Sequence, residues 1–303
     1  MKSNFIKNAL VILFFLVSFS ALAQEKGQAN DISEEEEKLE LPRKSSISTL
    51  MQEIGLTEFF VRYSRPSVKG RKKHIWGELV PYGKVWRAGA NEATTIEFSS
   101  DVKINGKPLK KGKYAIFVIP QKRGDWTFIF NTAIDSWGKE AYNQENDVLR
   151  VNATVEKSKF QETLAYDFDK ILENEATFIL RWECKLARIT IQVNTVEEAK
   201  KNIASAISKY PNDWQVLVRS ASYYKSENIE LRQALEWANQ SIKLKNDHYL
   251  PYWVKSEILA LQNDYKGAVE SAQKALEAGK DDTNFIYAQT IQSQIDNWLS
   301  KIN

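Results

Sequence analysis

Near Val193 the spacing of apolar residues changes from every second position to every third or fourth, dividing the chain into a sheet-patterned half and a helix-patterned half. Before the switch, Trp126, Phe128 and Phe130, and again Leu164, Tyr166 and Phe168, place alternate side chains on one face. The spacing predicts strands at 58–63, 94–98, 114–119, 126–130, 164–168 and 177–184. Asn105-Gly106 between short apolar runs is a two-residue hairpin turn. The run 114–119 lacks a polar face and should be a central strand buried on both sides. The inward phase slips between Trp182, Cys184, Leu186 and Ile189, Ile191, Val193, which predicts a bulge near Ala187 and makes Cys184 a buried structural thiol. Many short strands without intervening helices imply an antiparallel β-sandwich or jelly-roll-like domain over 47–194.

After the switch, Thr195 and Glu198 fit a capping box, and Ala199, Ile203, Ala206, Ile207 and Tyr210 follow at helical steps until Pro211. Ala234, Ala238 and Ile242 recur as Ala268, Ala272 and Leu276, each 34 residues on. Small residues at that spacing let a second helix pack closely on a first. A helical repeat of this length resembles the tetratricopeptide family, although His248 stands where the repeat has Trp214 and the loop glycine is missing after Tyr224. The segment 195–303 is thus expected to be an all-α array of helical hairpins, whose stacked faces imply a protein or peptide partner.

At the other end, Lys2 and Lys7 precede an apolar run, and Ala21-Leu22-Ala23 offers a small-x-small cleavage site. The run is too short to span a bilayer, so 1–23 is expected to be a signal peptide cleaved after Ala23, giving an exported chain with no membrane span. The polar segment 24–46, with Glu34 to Glu37, lacks the apolar content to order itself and reads as an acidic leader. The single cysteine excludes an internal disulfide. Lys and Arg number 42 against 39 Asp and Glu, a balance that, with export, argues against a nucleic-acid partner.

The familiar catalytic signatures are missing. His74 and His248 are not spaced as zinc ligands, and no nucleophile elbow, phosphate loop or dinucleotide motif occurs, so neither a metal nor a cofactor is expected. Asp167 and Asp169 alternate with Tyr166 and Phe168 and read as a solvent face. The unusual stretch runs from Arg62 to Arg87, where eight Lys and Arg face Glu78 alone, a local net charge of +7.

Within and around that stretch, Tyr63-Ser64-Arg65-Pro66-Ser67, Pro81-Tyr82-Gly83-Lys84-Val85-Trp86-Arg87 and Gly89-Ala90-Asn91-Glu92-Ala93-Thr94 resemble the bacterial family DUF2911. Gly112-Lys113-Tyr114, Trp137-Gly138, Asp147-Val148-Leu149-Arg150-Val151 and Leu180-Arg181-Trp182-Glu183 agree. The chain departs from the pattern around Lys73-His74-Ile75-Trp76, so His74 takes no role from it. The resemblance implies a secreted domain over about 47–193 and leaves its activity open.

Three readings of the motif stand side by side. In the first, Arg65 and Arg87 hold a small polar or anionic ligand, Tyr82 or Trp86 stacks on it, and Asn91 and Glu92 complete the contacts. In the second, Arg87 pairs with Glu92 or Glu97 and Asn91 caps a turn, so the motif only locks a loop. In the third, an exported hydrolase uses Glu92, its pKa raised in an apolar pocket, with Arg65 and Arg87 stabilising negative charge. The preferred expectation is a non-enzymatic envelope protein that binds a ligand through its β half and a partner through its helices.

Overall fold

The computed structural model describes residues 41–135 and 142–302. The expected signal peptide at 1–23, most of the expected leader and Trp137-Gly138 lie outside these residues. Among them, nine strands precede six helices, as the change of period requires. The strands are β1 (Ser46–Ile54), β2 (Thr57–Arg65), β3 (Thr94–Phe98), β4 (Val102–Ile104), β5 (Lys107–Leu109), β6 (Gly112–Ile119), β7 (Trp126–Asn131), β8 (Asp147–Asp169) and β9 (Glu175–Gln192). They form one antiparallel sheet in the order β1-β2-β3-β6-β7-β8-β9-β4-β5.

The sheet folds back on itself through β8. From Asp147 to Ala153 that strand pairs with β7, and from Thr154 to Asp169 it pairs with β9. Its second half therefore faces β2 across the core, where Phe59 meets Phe168 at 5.4 Å and Tyr63 meets Tyr166 at 4.9 Å. The two layers of the expected sandwich are thus continuous through one long strand, and a single apolar core from Ile54 to Ile191 fills the space between them. The run Tyr114–Val118 is buried throughout, as its lack of a polar face predicts. A second small cluster of Ala93, Ala115, Phe117 and Ile129, with Val85 and Tyr142 against it, covers its outer side. The Asn105-Gly106 turn joins β4 to β5, both residues at positive φ.

The phase slip sits four residues before Ala187. Glu183 adopts φ 55°, and the β8–β9 register shifts on either side of its pairing with Gln161. The bulge turns the Glu183 side chain inward, leaving Cys184 partly exposed rather than in the core. Asp167 and Asp169 are exposed, as their alternation predicts.

The helices are α1 (Thr195–Lys209), α2 (Trp214–Ser226), α3 (Leu231–Leu244), α4 (Tyr249–Leu261), α5 (Tyr265–Gly279) and α6 (Ala288–Ile302). Asn194, not Thr195, caps α1, its side chain accepting from the Glu197 N–H at 3.3 Å. Thr195 instead binds the β8–β9 turn, its hydroxyl donating to the Glu173 carbonyl and its backbone N–H donating to the Asn174 side-chain oxygen. Gly55 in the β1–β2 turn abuts it so closely that a Cβ would lie 1.9 Å from the Thr195 hydroxyl, which joins the two halves tightly. Ala234 and Ala238 of α3 and Ala268 and Ala272 of α5 are wholly buried, as close helix packing at the 34-residue offset requires. Where the repeat's loop glycine is missing, Asn228 (φ 52°) and Asn263 (φ 62°) supply the left-handed turns, a conformation asparagine tolerates better than most side chains.

Candidate functional site

The connection from β2 to β3, residues 66–93, is far longer than an ordinary loop, and loops beyond about 12–15 residues usually serve a function. It is nevertheless ordered, because Val68, Ile75, Val80 and Ala88 plug into the main core. Trp86 also pairs with Val118 of β6 through two backbone hydrogen bonds of 2.8 Å. The loop and the entry to β1 enclose a cavity of about 1070 Å³ that reaches the surface. Its walls include Lys44, Lys69, Arg71 and Arg87, with Glu78 the one acid and Trp182 of β9 contributing from the sheet.

Trp86 and Trp182 lie 18° from parallel with centroids 5.9 Å apart. Trp76 packs edge-on to both, and Trp126 packs against Trp76. This cluster gives the cationic cavity an aromatic wall. The indole N–H groups of Trp76 and Trp182 are buried without a hydrogen-bond partner among the described residues.

Arg87 owes its place to the turn that follows it. Ala88 adopts φ 52°, and its carbonyl accepts from the Thr94 hydroxyl at 3.1 Å and the Tyr166 hydroxyl at 2.8 Å. Full burial raises the Tyr166 hydroxyl pKa well above its ordinary value, so this donor stays protonated. Gly89 leaves no room for a side chain, since a Cβ there would stand 2.7 Å from the Thr94 hydroxyl. The Arg87 side chain has no hydrogen-bond or ion-pair partner among the described residues, and so pairs with neither Glu92 nor Glu97.

The six residues singled out in the sequence separate. Trp86 and Arg87 line the cavity, whereas Arg65, Tyr82, Asn91 and Glu92 do not. Arg65 donates through Nε to the Leu164 carbonyl at 2.8 Å and so ties β2 to β8. The Tyr82 ring packs on Gly77; burial, then the nearby Glu183 charge, pushes its hydroxyl pKa up. Asn91, at φ 56°, donates to the Ser45 carbonyl and to the Ser64 hydroxyl, both at 3.3 Å. Glu92 accepts from Arg43 and from the Ser64 hydroxyl. Asn91 and Glu92 therefore fasten the loop to the start of β1. Among the other cavity residues, Lys44, Lys69 and Arg71 carried no motif, and Trp182 stood in a family stretch with no site role until the fold joined it to them.

Burial pushes the Glu92 carboxyl pKa up, but the Arg43 hydrogen bond, its own backbone N–H and the Arg43 and Arg62 charges together hold it below the ordinary value. That direction is opposite to the raised pKa a general acid would need. A lowered folded-state pKa contributes stability that is present above the unfolded value and lost as pH falls through the folded one. Glu92→Gln is therefore expected to cost under about 1 kcal/mol near neutral pH, as exposed pairs do. The difference from wild type should close as pH falls through and below the usual carboxylate range. A thermal-melting difference that persists in acid would show that the carboxylate charge is not its source.

Among the described residues, no group of three or more His, Cys, Asp or Glu is placed to hold a metal ion, and no helix is long and apolar enough to cross a membrane. The DUF2911 family model, described as a protein of unknown function, matches residues 45–191. No curated protein matches the chain. The matched segment contains the loop motif, all nine strands but for one residue of β9, and every wall of the cavity except Lys44. Residues 45–191 therefore belong to the DUF2911 family, and an array of helical hairpins follows them.

Proposed function

We propose that the β domain is a non-enzymatic binding module whose cavity takes an anionic ligand with a ring-shaped apolar face, a uronic-acid sugar being the simplest of that class. One observation carries this reading. Arg87 stands in the cavity wall with no internal partner, beside the nearly parallel Trp86 and Trp182. Guanidinium groups suit carboxylate or phosphate, and a tryptophan face suits a sugar ring or another flat group. An acid–base role for Glu92 is disfavoured by its engagement with Arg43 outside the cavity. The signal-like N-terminus supports an exported, envelope setting for such a ligand. Galacturonate is expected to change the tryptophan fluorescence of the full chain saturably, and galactose is not. Equal responses to both sugars would remove the anionic part of the reading, and no response to either would remove the sugar.

A second reading concerns the helices, which we take as tetratricopeptide-like hairpins docking a protein or peptide. Lys225 of α2 binds Glu257 of α4, Glu257 accepts from Gln294 of α6, and Gln294 accepts from Trp253, so three alternate helices share one polar face. Beside it lies a shallow cavity of about 340 Å³ with Leu261, Tyr265 and Trp298 in its wall.

A further inference from the structure

None of the eight Lys and Arg between Arg62 and Arg87 forms an ion pair among the described residues, although Lys110, Arg150, Arg188 and Lys225 do so elsewhere. Lys69, Arg71 and Arg87 line the cavity. Lys72, Lys73 and Lys84 do not, but Lys72 and Lys84 are the chain neighbours of the wall residues Arg71 and Val85, Lys73 follows Lys72, and all three are exposed. Lys72 lies over the half-exposed Phe160 ring at 5.1 Å. The acid in the cavity wall, Glu78, is bound to His74 at 2.8 Å. A single small anion would answer Arg87 and leave this collar of like charges unopposed.

The cavity, at about 1070 Å³, lies just above the range of about 300–1,000 Å³ usual for small-molecule pockets, more than one sugar ring needs. The ring its aromatic wall offers is that of the half-buried Trp86, backed by Trp182, which is only 1% exposed. A flat membrane surface does not reach a ring so recessed, whereas a chain of sugar units can put one unit against it. Resting on the reading of the cavity as an anionic-sugar site, we propose that it takes one segment of an extended anionic polysaccharide and that Lys72, Lys73 and Lys84 bind the flanking units. The ligand class is then a polymer bearing a carboxylate on successive sugars.

The test is calorimetry on the full chain with galacturonate and with a long oligogalacturonate. The oligomer is expected to bind at least roughly tenfold tighter, because contacts of its flanking units become intramolecular once one unit is seated. That excess should shrink as added salt screens the exposed lysines. In the combined variant Lys72→Gln, Lys73→Gln, Lys84→Gln, oligomer affinity should fall to that of the monomer while monomer binding is unchanged. Equal affinities in the wild type, or an excess that survives the triple substitution, overturn the collar and leave the cavity reading standing. Loss of monomer and oligomer binding alike brings down both. Linear polyphosphate or phosphatidylglycerol vesicles binding as tightly as the oligomer, with an affinity unaffected by Trp86→Ala, would overturn the polysaccharide in favour of a general polyanion or a lipid surface.

Discussion

Arg87→Gln is expected to weaken galacturonate binding by roughly 10- to 150-fold, the equivalent of losing one charge-assisted hydrogen bond of about 1.5–3 kcal/mol. Its melting temperature should stay near that of the wild type, because surface substitutions without partners change stability by only about 0.5 kcal/mol. The reason is the isolation of the side chain: no carboxylate is left unpaired when the guanidinium goes. Asn91→Ala is the natural contrast. It removes two hydrogen bonds that hold the loop to Ser45 and Ser64, and puts alanine at φ 56°, so it should lower the melting temperature. If Arg87→Gln melted many degrees early while still binding the sugar, the motif would be a loop lock and the cavity reading would fail.

The largest stability effect is expected at Phe178→Ala. Phe178 is wholly buried, stacks on Tyr166 at 5.2 Å and 13°, and meets Phe168 at 5.1 Å. Deleting a buried phenylalanine costs about 3–5 kcal/mol through lost transfer energy and the cavity left behind. For a domain of this size that lowers the melting temperature by about 10 °C. The damage should also reach the cavity, since the Tyr166 hydroxyl holds the Ala88 carbonyl next to Arg87. Calorimetric melting would check it, and a loss under about 1 kcal/mol would mean that the layers close over the gap.

Reading strands from alternation worked where one face is strongly apolar. The strand 94–98 is found with the predicted bounds, and 114–119 and 126–130 lie within β6 and β7. The strand β1 escaped because it is a sheet edge whose only fully buried residue is Ile54. The true length of β8 escaped because its middle stretch, around Lys157 to Gln161, is largely exposed and carries no period. Cys184 was misplaced by one backbone torsion, at Glu183, which no periodicity encodes.

The sequence by itself determined the division of the chain near Val193, the hairpin at Asn105-Gly106, the close-packed alanines of the helices and the family of the first half, because each is written in local spacing. It also marked Arg62 to Arg87 as unusually basic. Only the tertiary structure decided which of those charges share a cavity. The left-handed turns at Ala88 and Asn91 send Arg87 to one side and Asn91 with Glu92 to the other, although six positions of sequence span them all. Trp182, nearly a hundred residues further on, joins Trp86 because β9 returns beneath the loop. Sequence spacing carries the period of an element, whereas a cavity is made where elements distant in the chain meet, and that depends on how the sheet folds over its core.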